Sequence, residues 1–227
     1  MILDGLSRLA RHAAVCQTCW SSIAFIERPY CDVLGVPFSH DLGAGILSAE
    51  AIANPPDFDR LRSVCAFDGA AKSLVHALKY RDRTELAPMM AGWMVRAGKE
   101  ILDDCDALIP VPLHTFRLMS RKFNQAAELA SVISRQTGRP MLAAAVRRTR
   151  NTEHQVGLGR TGREENVRGA FRVTERGKQE VLGKRVVLID DVYTTGATVS
   201  AISRVLRRAG AADISVLTFA RALPDTI

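Results

Sequence analysis

From about residue 57 the apolar positions of this chain switch between two spacings, one helical and one extended. Residues 70–79 (AAKSLVHALK) and 86–98 carry apolar side chains at helical spacing, which predicts two helices. ALIPVP (107–112) reads as a short buried strand ended by proline, which lacks the N–H a central ladder needs. FNQAAELASVISRQTG (123–138) predicts a helix closed by Gly138. RVVLID (185–190) is an unbroken apolar run of the kind covered on both faces. Along 198–209, Val199, Ile202, Val205, Leu206 and Ala209 make one apolar stripe, with Arg204, Arg207 and Arg208 mostly opposite. DISVLTFA (213–220) adds another buried strand. Strands alternating with helices predict an α/β fold with a parallel-rich sheet. The apolar helices of 70–98 suit either a cover for that sheet or a dimer surface.

Before residue 57 the pattern lacks clean periodicity, and Asn54–Pro55–Pro56 reads as a break or linker. Two parts are therefore expected, a small cysteine-containing module over 1–56 and the α/β domain over 57–227. The chain shows no internal repeat and no low-complexity tract.

Composition narrows the class. With 227 residues, 47% hydrophobic and 24% charged, this is an ordinary globular composition able to bury one sizeable core. No apolar run is long enough to cross a bilayer, so no membrane insertion is expected. The start, MILDGLSRLARHAA, carries an acid at Asp4 and no sustained apolar stretch, so the expected compartment is the cytoplasm. Five cysteines, an odd number without an export signal, argue against a disulfide framework. The net charge of +7 is uneven: residues 147–185 hold eleven Lys/Arg against five Asp/Glu. Such a stretch suits a polyanionic partner, either a pyrophosphate ester or nucleic acid, and equally a solvated basic loop.

The chemistry concentrates in VVLIDDVYTTGATVSA (186–201). An apolar strand ends in two carboxylates, then a short Thr/Gly turn, then a helix, and ligands in open α/β sheets sit beyond such strand ends. Thr194, Thr195 and Thr198 offer hydroxyl donors, and Gly196, followed by Ala197, admits close backbone approach. A helix starting near Thr198 directs free N–H groups at an anion. Asp190 and Asp191 would repel a phosphate, so their expected work is to accept from sugar hydroxyls or to hold water on a metal. Both reach one sugar only if the strand is already turning there. A competing reading makes the acids helix caps, but they lie too far from the helix start. Cys16-x2-Cys19 has the spacing of half a zinc site. Cys31 offers a third thiolate, and His12 or His40 would have to complete the set.

DDVYTTGAT closely resembles the 5-phosphoribosyl pyrophosphate (PRPP) motif of type I phosphoribosyltransferases. From about Cys16 to Ala220 the chain resembles the ComF family, phosphoribosyltransferase-like proteins linked to competence and DNA uptake. SLVHALKYRDR (73–83) is similar to the segment ahead of the family's core. IPVPLHTFRLMSRKFNQAAELA (109–130) is similar to its pyrophosphate-loop strand and following helix. RRTRNTEHQVGLGRTGREENVRGAF (147–171) is similar to its flexible hood, with Phe171 at the family's spacing. The resemblance implies a type I phosphoribosyltransferase fold with a small irregular N-terminal module, a degenerate zinc ribbon. It implies a pyrophosphate loop at Leu113 and His114, helped by Arg117 or Arg121, and a hood using Arg147, Arg148, Gln155, Arg163 and Asn166. It further implies Mg²⁺-dependent transfer of phosphoribose from PRPP to an amine or base. The alternative it carries is a non-catalytic PRPP sensor, or a single-stranded-DNA module working with DNA-processing proteins. Two positions depart from the family: Lys122 stands where glycine is usual, and Leu34 where the second cysteine of a C-x-x-C is usual.

Overall fold

Six strands organise the structure, a computed structural model describing residues 15–41, 43, 45–80, 83–113, 123–150 and 167–223. They are β1 (Arg60–Ala66), β2 (Ala107–Pro110), β3 (Val146–Arg148), β4 (Phe171–Val173), β5 (Arg185–Tyr193) and β6 (Asp213–Arg221). β1, β6, β5 and β2 form one sheet in that order with every neighbour parallel, while β3 and β4 pair antiparallel apart from it. In the two central strands Val186–Ile189 and Ile214–Ala220 are buried throughout, because helices lie on both faces.

The helices are α1 (Gln17–Ser21), α2 (Ala49–Ala53), α3 (Gly69–Tyr80), α4 (Ala87–Ala97), α5 (Lys99–Asp104), α6 (Gln125–Thr137), α7 (Glu175–Val181) and α8 (Ala197–Arg208). On one face α3, α4 and α6 bring Leu74, Leu78, Met90, Met94, Leu129 and Ile133 onto Val187, Ile189, Leu217 and Phe219. On the other face α8 sets Val199, Ile202 and Leu206 against Val186, Leu188, Ile214 and Val216. Each such aliphatic side chain, fully buried, contributes about 1.5–3 kcal/mol. The apolar helices of 70–98 therefore serve as a cover for the sheet. α6 begins at Asn124, whose Oδ1 accepts the Ala126 N–H, and ends at Gly138 in the left-handed conformation (φ 71°).

β1 is an element the apolar pattern does not flag, because Arg60, Arg62 and Ser63 interrupt it. Two of the interrupting groups, Arg62 and Ser63, are buried with partners. Arg62, 4% exposed, pairs with Glu100, donates to the Asp32 and Leu61 carbonyls and lies over the Tyr30 ring. Ser63 bonds Thr218 across the β1–β6 pair at 2.7 Å.

Both sheet edges are covered. The N-terminal segment bonds the outer side of β1, through Ile26 N–H to the Val64 carbonyl, Ala66 N–H to Ala24 and Leu61 N–H to Val33, at 2.8–2.9 Å. On the other edge, Leu108 of β2 donates to Pro140 and accepts from Leu142. Pro110 is the last residue of β2, and an edge strand is where proline is tolerated. Pairing nevertheless continues past it, since Val111 N–H reaches the Ile189 carbonyl at 2.9 Å.

Candidate functional site

β5 is longer than its apolar run, continuing through both acids to Tyr193. Alternation puts Asp191 on the face of Ile189, towards α3, and there its Oδ2 meets Lys79 Nζ at 2.8 Å. Asp191 is 5% exposed. Asp190 is half-buried, and its Oδ1 accepts the Asp191 N–H at 2.9 Å. Burial first, and the neighbouring Asp191 second, push the Asp190 carboxyl up to about 7, against the opposing pull of Lys79. The two carboxylates are thus unlike: one is ion-paired under α3, the other sits in a setting that favours its neutral form.

Beyond Tyr193 the chain turns through Thr194, exposed, and Thr195, half-buried, to Gly196. Gly196 has φ 76°, a left-handed conformation, and a Cβ there would stand 2.5 Å from the Tyr193 hydroxyl. The helix begins one residue before Thr198, at Ala197, with Gly196 as its N-cap and no side chain capping its first turn. Asp190 and Asp191 are strand residues, not caps. The first N–H groups of α8, the threonine hydroxyls and the positive end of the helix dipole converge here, and an anion fits that arrangement. Tyr193 braces the turn, edge-on to Phe58 at 6.2 Å with the Arg221 guanidinium over its ring.

β2 ends beside Ile189 of β5 and leads to Leu113, which is half-buried. His114, Arg117 and Arg121, like Lys122, lie outside the described residues. The far end of that segment is tied back by Asn124, whose Nδ2 donates to the Val111 carbonyl at 3.0 Å. In the hood, 147–171 does not begin and end as loop: Val146–Arg148 pairs with Phe171–Val173, because Val146 and Phe171 both bury against the α8 face. Arg147 is exposed, and Arg148 lies over the Phe171 ring at 5.4 Å. Gln155, Arg163 and Asn166 lie outside the described residues. A cavity of about 750 Å³ lies nearby, with Tyr193, Thr195, Arg168, Arg172, Arg204 and Arg208 in its lining.

The cysteines are not brought together. Cys16 and Cys19 form a local turn, Cys19 N–H on Cys16 Sγ at 3.5 Å, and Cys19 packs on the α3 side of the core. Cys31 belongs to the cluster on the other side, fully buried, its Sγ accepting from Leu34 N–H and Ser48 N–H. With Leu34 in place of a further thiol, no group of three metal-ligating side chains forms among the described residues. Those residues do not fit a tetrahedral zinc. Cys65 and Cys105 are buried in the core, as small hydrophobes are.

Lys79 is the participant that residue spacing does not reveal. Along α3 it is one lysine following a buried leucine, and only the packing of α3 on the sheet brings it to Asp191.

A parallel sheet covered on both faces, with an acidic strand end and an open helix start beyond it, defines a phosphoribosyltransferase-like protein. Residues 120–226 match the phosphoribosyl transferase domain, and residues 7–51 match the double zinc ribbon domain. The chain is 32% identical to DNA utilization protein YhgH of Escherichia coli O6:H1 over 93% of its own length and 92% of that protein. It is 30% identical to competence protein F of Haemophilus influenzae, over 92% and 90%, and 29% identical to competence protein ComFC of Bacillus subtilis, over 91% and 84%. The chain belongs to the ComF family. Among solved structures it overlaps the allosteric regulatory enzyme of purine biosynthesis with 26% identity over 58% of this chain and 25% of that one. The TM-score is 0.37. No helix among the described residues is long and apolar enough to cross a membrane.

Proposed function

We propose that this chain binds PRPP at the β5–α8 turn and, acting in the cytoplasm, transfers its phosphoribosyl group to an amine or ring nitrogen. One observation carries the reading: left-handed Gly196 opens the uncapped N-terminus of α8 directly beyond a pair of carboxylates. The 5′-phosphate takes the first N–H groups of α8 and the hydroxyls of Thr194, Thr195 and Thr198, with Ala197 leaving the approach clear. The ribose hydroxyls donate to Asp190 and Asp191, which leave β5 on opposite faces, so the strand end turns for both to meet one sugar. The pyrophosphate takes the segment from Leu113 through His114, Arg117 and Arg121, and the hood residues Arg147, Arg148, Gln155, Arg163 and Asn166 close over it. The bond from C1 to the pyrophosphate oxygen breaks as the bond to the incoming nitrogen forms. The protein's contribution is positioning and stabilisation of the separating charges. Hard carboxylate oxygens suit Mg²⁺, which, when bound, neutralises charge on the departing pyrophosphate. Residues 1–56 are a cysteine-containing module, a zinc ribbon that has lost part of its ligand set, joined to the outer side of β1 through Ala24, Ile26 and Val33.

Calorimetry with PRPP and Mg²⁺ tests the site. Wild-type chain is expected to bind, and the isosteric pair Asp190→Asn with Asp191→Asn to lose most of that affinity. Undisturbed affinity in the double variant would sink the assignment.

A second reading, a single-stranded-DNA-binding module as distinct from a non-catalytic PRPP sensor, is favoured by the four arginines around the 750 Å³ cavity and by the relatives' DNA utilization and competence names. It predicts salt-dependent binding to a single-stranded oligonucleotide that weakens when Arg168, Arg172 and Arg208 are replaced by alanine. Pyrophosphate release on incubation with bases and amines separates the enzyme from both non-catalytic alternatives.

A further inference from the structure

Lys79 lies on α3, outside the phosphate turn and the loops that flank it, yet its ammonium stands 2.8 Å from Asp191 Oδ2. Both side chains are withdrawn from water, Asp191 at 8% exposed and Lys79 at 22%. α3 is held in place independently of the site, by Leu74, Val75 and Leu78 in the sheet core. That packing delivers Lys79 to the end of β5, on the same face as Ile189 and Asp191. Two neighbouring carboxylates repel each other, and they repel an incoming phosphate ester, unless a cation stands with them. Among the described residues, Lys79 is the cation the structure records on this pair.

Resting on the PRPP reading, we propose that Lys79 is a positioning residue for the sugar side of the site. Its ammonium holds the Asp191 carboxylate in one orientation and cancels its charge, so that ribose hydroxyls meet a pre-aimed acceptor rather than two repelling acids. Without Lys79 the strand end carries an uncompensated buried carboxylate, which disfavours an anionic ligand.

The test is calorimetry of the full chain with PRPP in Mg²⁺, for wild type, Lys79→Met, Lys79→Arg, Asp191→Asn and the double variant Lys79→Met with Asp191→Asn. Lys79→Met is expected to weaken binding by about tenfold or more, the size of one charged contact. Lys79→Arg, which keeps the cation, is expected to recover most of that loss. In the Asp191→Asn background, Lys79→Met is expected to cost no more than about twofold, because Lys79 acts through Asp191. The double variant removes both charges together, so no lone ion is left buried and the fold is spared. Three results overturn the proposal: Lys79→Met binding within about twofold of wild type, Lys79→Arg no better than Lys79→Met, or a full tenfold loss persisting in the Asp191→Asn background. A lowered thermal midpoint with unchanged affinity marks a purely structural ion pair and overturns it as well. Absence of any heat from wild-type chain with PRPP overturns the donor reading and this inference with it, whereas unchanged binding in Lys79→Met overturns the role of Lys79 alone.

Discussion

Replacing Asp190 by asparagine removes a carboxyl that the fold drives towards its neutral form while keeping the side chain's size. In the folded chain its pKa rises from an ordinary 3.8 to about 7, through burial first and Asp191 second. A carboxyl displaced that far costs about 4 kcal/mol when ionised. Asp190 is only half-buried and keeps part of its hydration, which reduces the cost to roughly 2 kcal/mol. Because the folded value lies above the unfolded one, this stability is whole below about pH 4 and is lost as pH rises through about 7. Asparagine has no such cost at any pH. Denaturant midpoints for wild type and Asp190→Asn, taken without ligand from pH 5 to pH 8, are the assay. The variant is expected to gain on wild type by roughly 1 kcal/mol across that range, the share of the cost that falls between pH 5 and pH 8, about 2–4 °C in thermal midpoint. Two parallel stability curves, with a constant gap from pH 5 to pH 8, would refute the reasoning, since an ordinary carboxyl is ionised throughout.

Two other predictions follow from the site and its frame. Gly196→Ala puts a Cβ 2.5 Å from the Tyr193 hydroxyl in a left-handed conformation, so a loss of about 1–3 kcal/mol in unfolding free energy and weakened PRPP binding are expected. An alanine variant as stable as wild type would show that the turn relaxes freely. Glu100→Gln removes the charge opposite Arg62; burial alone would raise Glu100, but Arg62 and Arg28 override it and hold the carboxyl below its usual range. Arg62 keeps its two carbonyl acceptors, so the expected loss is about 1–3 kcal/mol by chemical denaturation at pH 7, and an unchanged midpoint would show that those acceptors and the Tyr30 ring suffice.

The apolar periods of 70–79, 86–98, 123–138, 185–190 and 213–220 correspond to α3, α4, α6, β5 and β6, because helices and strands buried against one sheet must present apolar residues at fixed spacing. The DDVYTTGAT turn was legible for a similar reason: strand, acids, turn glycine and helix start are consecutive, so local spacing alone sets their order. β1 was hidden, since Arg62 and Ser63 look like surface residues until Glu100, the Asp32 and Leu61 carbonyls and Thr218 arrive from distant parts of the chain. The β3–β4 pair was hidden too, because its partners lie on either side of a long basic segment. Cysteine spacing raised a shared zinc site, but the core separates Cys31 from Cys19 by assigning them to opposite sides of the sheet. By itself, then, the sequence determined the order of the elements that carry an unbroken apolar period, and the phosphate turn, which depend on neighbours a few residues apart. Only the tertiary structure decided that Asp191 is ion-paired while Asp190 is pushed towards neutrality. That difference arises from burial and from Lys79, a residue more than a hundred positions away that reaches the site through the packing of α3.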